Sequence, residues 1–245
     1  MTRAGLELLV EEGLGVGAGD LTFKRVFDRV EATTGVRLTN ASVIRRVWEN
    51  QAEFQDDLLT VVALAGDAGD EAGATADALL PLLVSIDRST PQGRMDGLRE
   101  VCRVGGAASL RALVDSRQWS LWVGVWVLSV TGTPSARVDR VRQALVDGYE
   151  ATTDLWMGLH GAMIDALGLR LRPPFTLRQF TVSVGALVEG CALRERTERA
   201  PATVVRPTGP GGAPQEWTLF GVGLEALAHQ YLEPDPGWTD PGAGI

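Results

Sequence analysis

An all-α fold in two domains follows from three features of the chain. Apolar residues recur at spacings of three and four over long stretches, and short Gly- and Pro-marked breaks separate those stretches. Apart from a brief run at Ala202 to Arg206, no segment sustains the alternation of a strand. A chain of 245 residues has room for two cores. The pattern predicts a three-helix N-terminal domain over 1–65, a larger helical domain over 66–233, and a Pro/Gly-rich tail over 234–245 that is expected to be disordered.

The first predicted helix runs from Thr2 to Gly13, with Leu6, Leu9 and Val10 as its apolar face and Gly13 as its stop. The run Gly13-Leu-Gly-Val-Gly-Ala-Gly19 superficially resembles a dinucleotide-binding loop. It follows an amphipathic helix and not a buried strand, so it reads as a flexible connection. In the second helix Phe23, Val26, Phe27 and Val30 form one stripe, and Lys24, Arg25 and Arg29 fall on the solvated side. Asp20 or Thr22 can cap its start, and Gly35 supplies the positive φ of a tight turn. Beyond the turn Thr39 or Asn40 can cap a short helix with Val43, Ile44, Val47 and Trp48 inward and Asn40, Ser42, Arg45 and Arg46 outward. Asn50 can then cap a long helix carrying Phe54, Leu58, Leu59, Val61 and Val62.

Helix, Gly-marked turn, short polar-faced helix, long helix is the layout of a helix-turn-helix DNA reader, whose second paired helix lays its first side chains against base edges. The same local pattern also suits an amphipathic helix in an ordinary bundle with a solvated Arg pair. Charge is distributed in favour of the first reading. The net charge is −8, yet residues 1–50 carry seven basic and seven acidic side chains, and 22–48 carry six basic against two acidic. A local basic face is what DNA contact needs, and an acidic remainder suppresses non-specific binding.

The N-terminal quarter resembles the DNA-binding domain of TetR-type transcriptional regulators. The resemblance rests on the Leu-Glu-Leu-Leu-Val-Glu-Glu-Gly opening, the Gly35-Val36 turn, and the run Arg46-Val-Trp-Glu-Asn-Gln-Ala-Glu-Phe54, which is similar to the family's Arg-His-Phe-x-Asn-Lys-Glu-x-Leu signature. Three departures fall on positions used for DNA. Arg45 stands where the family has a phosphate-contacting tyrosine, Gln51 stands where it has a lysine, and about three extra residues separate Gly35 from Trp48. The resemblance implies a homodimer on a palindromic operator, with Arg37, Thr39, Asn40, Ser42 and Arg46 on the groove side and Thr22, Lys24, Arg45 and Gln51 on phosphates. It also implies release by a small molecule entering the C-terminal domain.

The segment from Ala65 to Ala78 reads as a helix end plus linker. Helices are then expected at Ala78–Asp87, Gly93–Val104, Ala107–Val130, Ala136–Leu167, Thr176–Arg196 and Glu216–Leu232, with breaks at Pro91, Gly105-Gly106, Gly132 to Pro134, Pro173-Pro174 and Pro207 to Pro214. Trp119, Trp122 and Trp126 share one helical face, as do Trp156, Met157, His160 and Met163 in the next helix. Such side chains either form the domain core, their ordinary role, or line a pocket for an apolar or aromatic ligand. The last two helices carry broad apolar faces (Phe180, Val184, Leu187, Val188, Cys191; Trp217, Leu219, Phe220, Leu224, Leu227, Tyr231). These resemble the family's dimerisation pair.

Cys102 and Cys191 are far apart, without a CxxC or Cys/His cluster, so neither a disulfide framework nor a zinc site is expected. A redox-sensing thiol would need a basic neighbour, and only Arg103 and Arg194 adjoin. Thr2 to Gly13 is not a signal peptide and no apolar run is long enough for a bilayer, so a cytoplasmic protein without membrane partners is expected. Two histidines and no nucleophile elbow leave general acid–base chemistry few candidates, and no enzyme, metal or cofactor is predicted. The alternative reading is an all-helical interaction or sensor dimer whose DNA domain no longer binds.

Overall fold

The computed structural model describes residues 1–14, 21–38, 47–65, 68–133, 135–198, 202–209 and 212–239. Most of these residues are helical, and two short antiparallel sheets complete the fold. The chain divides into two compact units, one of residues 1–67 with 116–151 and one of 68–115 with 152–245. The first unit holds the first two expected helices and the long helix after Asn50, together with residues 116–151, which the boundary expected at 65 assigns to the second domain; the short helix expected from Thr39 or Asn40 to Trp48 lies mostly outside the described residues.

In the first unit α1 (Thr2–Glu12) ends at Gly13, φ 80°, and α2 (Phe23–Thr34) starts at Thr22, whose hydroxyl accepts the Arg25 N–H. Gly35 closes α2 in the left-handed region at φ 69°, a conformation that other residues adopt at a cost. Asn50 Oδ1 accepts the Glu53 N–H at 3.0 Å and the Glu53 carboxylate accepts the Glu49 N–H, a reciprocal cap that starts α3 (Gln51–Ala65). The inward face of α1 differs from the expected Leu6, Leu9 and Val10: Ala4, Gly5, Leu8 and Leu9 are buried. The reason is close approach, since a Cβ on Gly5 would lie 2.8 Å from Leu58 Cδ1 of α3. Phe23 stacks with Phe54 at 5.2 Å, and the Trp48 ring meets Phe54 edge-on at 4.8 Å while donating its N–H to Asp57.

The rest of this unit is α6 (Arg117–Thr131) and the first half of α7 (Ala136–Ala166). Asp56, buried on α3, is held by Arg137 at 2.6 Å and Arg140 at 3.7 Å from the start of α7. Burial raises the Asp56 carboxyl above its ordinary range despite these two arginines.

In the second unit α4 (Ala68–Ser85) occupies much of the expected linker, and α5 (Pro91–Asp115) runs unbroken through Gly105-Gly106, where the sequence predicts a break. These glycines serve packing. A Cβ on Gly105 would sit 3.0 Å from Leu79 of α4, and one on Gly106 would sit 3.2 Å from the Cα of Gly221. Gly221 lies in α9 (Leu219–Tyr231), so α5 and α9 approach backbone to backbone. The break between α5 and α6 falls instead at Ser116, whose hydroxyl accepts the Trp119 N–H and so caps a new helix.

Around α5 pack α4, α8 (Leu177–Glu198) and α9. The sheets are small. The segment β1 (Leu169–Leu171) pairs with β4 (Leu232–Pro234), and β2 (Thr203–Arg206) pairs with β3 (Gln215–Thr218), Thr203 opposite Thr218 and Arg206 opposite Gln215. The last predicted helix therefore loses its first residues to β3. Trp217 is fully buried there, with Arg206 stacked 4.4 Å over its ring. Tail residues up to 239 are not free of the fold. Arg94, buried in α5, donates to the carbonyls of Gly168 (3.1 Å) and Asp235 (3.2 Å) and lies over the Trp238 ring, whose N–H reaches the Asp165 carbonyl at 3.1 Å. Composition and periodicity carry no trace of these backbone contacts.

Candidate functional site

Two places among the described residues can do chemistry of recognition. The first is a cavity in the second unit. Leu79 of α4, Leu98 and Cys102 of α5, Met163 of α7, Val184 of α8 and Phe220 of α9 are among its walls. The space open to the centre of a water-sized sphere is about 70 Å³. One water needs roughly 10–15 Å³ on that measure and fills about 30 Å³ as liquid, so the cavity has the room of about five to seven waters, that of a small aromatic molecule. Its walls are apolar apart from Thr75, Ser109 and His160. Two of these are already engaged: the Ser109 hydroxyl donates to the buried Glu71 carboxylate at 2.5 Å, and Thr75 donates to the Glu71 carbonyl at 2.8 Å.

His160 is the polar group that remains. Its Nδ1 lies 2.9 Å from Thr181 Oγ1, and its ring is sandwiched by Trp156 (5.5 Å) and Phe180 (5.2 Å, edge-on). Burial lowers its pKa from 6.5 to about 4, so the imidazole is neutral at pH 7. Burial, aided by the negative charge of Glu225, pushes the Cys102 thiol up, and Cys191 is also raised by burial. Both thiols stay protonated, against a redox-sensing role.

Of the six residues predicted to line a pocket, Trp156, His160 and Met163 do so together. Trp119 and Trp122 are buried in the first unit, Trp122 edge-on to Tyr149 at 4.8 Å, and Trp126 is 43% exposed there. Helical spacing identifies both aromatic faces, but spacing cannot say which core a face joins. The walls from α4 and α5 escape a sequence reading, because Leu79, Cys102 and Ser109 carry no local signal.

The second place is the edge of the first unit where α2 and α3 begin. The Phe23 N–H donates to Gln51 Oε1 at 3.4 Å, so two helix N-termini meet there; Thr22 caps α2 and the Lys24 side chain is exposed. The positive ends of two helix dipoles favour an anion at such an edge. Arg37 is exposed beyond the Gly35 turn. Thr39, Asn40, Ser42, Arg45 and Arg46 lie outside the described residues. The neighbouring basic side chains are balanced by carboxylates: Arg25 pairs with Glu12, Arg29 with Glu11 and Glu7, and Lys24 with Asp28 at 3.5 Å.

Compared with family models, with curated proteins and with solved structures, the chain matches none. Among the described residues no helix is long and apolar enough to cross a membrane.

Proposed function

We propose that the chain is a sequence-specific DNA-binding regulator of the TetR type, a repressor that sits on a palindromic operator as a homodimer and is released by a small apolar or aromatic ligand. The observation that carries this reading is the convergence of the α2 and α3 N-termini at Thr22, Lys24 and Gln51, the positions expected on phosphates. A glycine-closed turn leads from α2 toward the segment predicted to read bases, and a second compact unit encloses an apolar cavity. The faces expected to dimerise are largely spent within the chain, since Phe180, Val184, Val188, Trp217 and Phe220 are buried; Val182 and Leu193 on the other side of α8 and Leu219 at the start of α9, each about half exposed, support burial against a second copy. Release requires the ligand to bind one arrangement of the dimer better than the other.

One observation favours the alternative, a sensor or interaction dimer that no longer binds DNA. Arg25 and Arg29 are neutralised by the acidic face of α1, which leaves little uncompensated positive charge among the described residues of the first unit. Selection of sites from a random duplex library at moderate salt separates the readings. Enrichment of a palindrome is the expected result; no enrichment from folded, dimeric protein would leave the interaction module as the function.

A further inference from the structure

Most helical threonines in this chain spend their hydroxyl proton on their own helix. Thr60, Thr75, Thr131 and Thr197 each donate to the carbonyl four residues back. Thr181 is different. It is buried within α8, and its Oγ1 has His160 Nδ1 as its partner at 2.9 Å. A buried hydroxyl must place its one proton on an acceptor or lose the free energy of that bond. With Nδ1 as that acceptor, the neutral ring carries its own proton on Nε2. Thr181 thus selects the tautomer in which His160 is a donor, and no other hydrogen bond engages the ring among the described residues.

We infer that the cavity selects a small uncharged ligand with one hydrogen-bond acceptor on an apolar body, such as a ketone or aldehyde, whose carbonyl oxygen accepts the N–H of His160 Nε2. The inference rests on the reading of this cavity as the ligand site. A carboxylate would leave water for apolar walls with the negative charges of Glu71 and Glu225 behind them, and an ammonium would meet, at His160, a donor where it needs an acceptor. A plain hydrocarbon would fill the space but leave the imidazole N–H unpaired.

The test compares two probes of the same shape, acetophenone and α-methylstyrene, which differ by a carbonyl oxygen in place of a methylene. Each is titrated calorimetrically into the full-length protein, and release from selected operator DNA is read separately. Acetophenone is expected to bind about tenfold more tightly, the ratio that one neutral hydrogen bond gives. In His160→Phe the preference should vanish while α-methylstyrene still binds, which shows that the variant is folded. Thr181→Val keeps the shape of the side chain but frees the ring to exchange tautomers, and should shrink the preference. Equal binding of both probes by the unaltered protein, or a preference that survives His160→Phe, overturns carbonyl selection and leaves the cavity a ligand site. Binding of neither probe overturns the inference together with the cavity reading, whatever the DNA assay shows.

Discussion

At the scale of single residues, His160 ties the cavity to the stability of the fold. Its pKa is lowered to about 4 from the ordinary 6.5, so the unfolded chain takes up the proton first as pH falls. The folded state therefore suffers no penalty above about pH 6.5 and loses stability between there and about pH 4, by up to about 3 kcal/mol. Glu225 adds a loss in the same direction at lower pH. Burial raises its carboxyl, but hydrogen bonds from Arg206 and Arg99 outweigh burial and hold it below the ordinary carboxylate range. The difference between the original protein and His160→Phe isolates the histidine. Urea unfolding at pH 7 and at pH 4.5 is expected to show a smaller acid loss in the variant, and equal losses would mean that the ring is already charged or solvated. The residue scale also shows the limit of reading one residue type at a time. A lone histidine on an apolar helical face is legible at position 160, whereas its partner Thr181, twenty-one positions on, carries no signal.

At the scale of elements, glycines decide whether helices break or touch. Gly105-Gly106 reads as a break, yet α5 continues through it because the fold uses the missing side chains to bring in Leu79 and the backbone of α9. Gly73, exposed within α4, has nothing within 4 Å of a would-be Cβ. Two opposite outcomes follow. Gly106→Val is expected to destabilise by about 1–3 kcal/mol through overpacking. Gly73→Ala is expected to stabilise by about 0.5–1 kcal/mol through helix propensity. Thermal melts of the pair check both signs, and a neutral Gly106→Val would mean that α5 and α9 separate readily. Where a cap is the signal, sequence and structure agree: Thr22, Gly35 and Asn50 bound α2 and α3 as their local chemistry requires.

At the scale of the whole molecule, the proposed dimer would sum each binding event over two copies. If α8 and α9 form the dimer face, the double substitution Val182→Glu with Leu193→Glu buries like charges across the two-fold axis. Light scattering is expected to show monomers, and operator binding should fall with dimerisation because the half-sites then bind singly. A dimer that persists would move the interface elsewhere. Lys24 tests the proposed DNA face. Lys24→Ala is expected to weaken binding to all sequences alike and to reduce the slope of log K against log salt by about 1, the value for one phosphate that no longer has a cation beside it. An unchanged slope would remove Lys24 from the interface. What the sequence determined by itself is local: helix periodicity, the caps and turn of the N-terminal helices, and two aromatic faces, because those depend on neighbours three or four residues away. Tertiary structure alone decided which face joined which core. It placed Trp119 and Trp122 in the first unit's core and Trp156, His160 and Met163 on the cavity wall. It also drew Leu232 to Trp238 back onto Arg94 and Gly168. Such contacts join residues more than sixty positions apart, and their free energy depends on shape and on paired backbone groups, neither of which a one-dimensional pattern records.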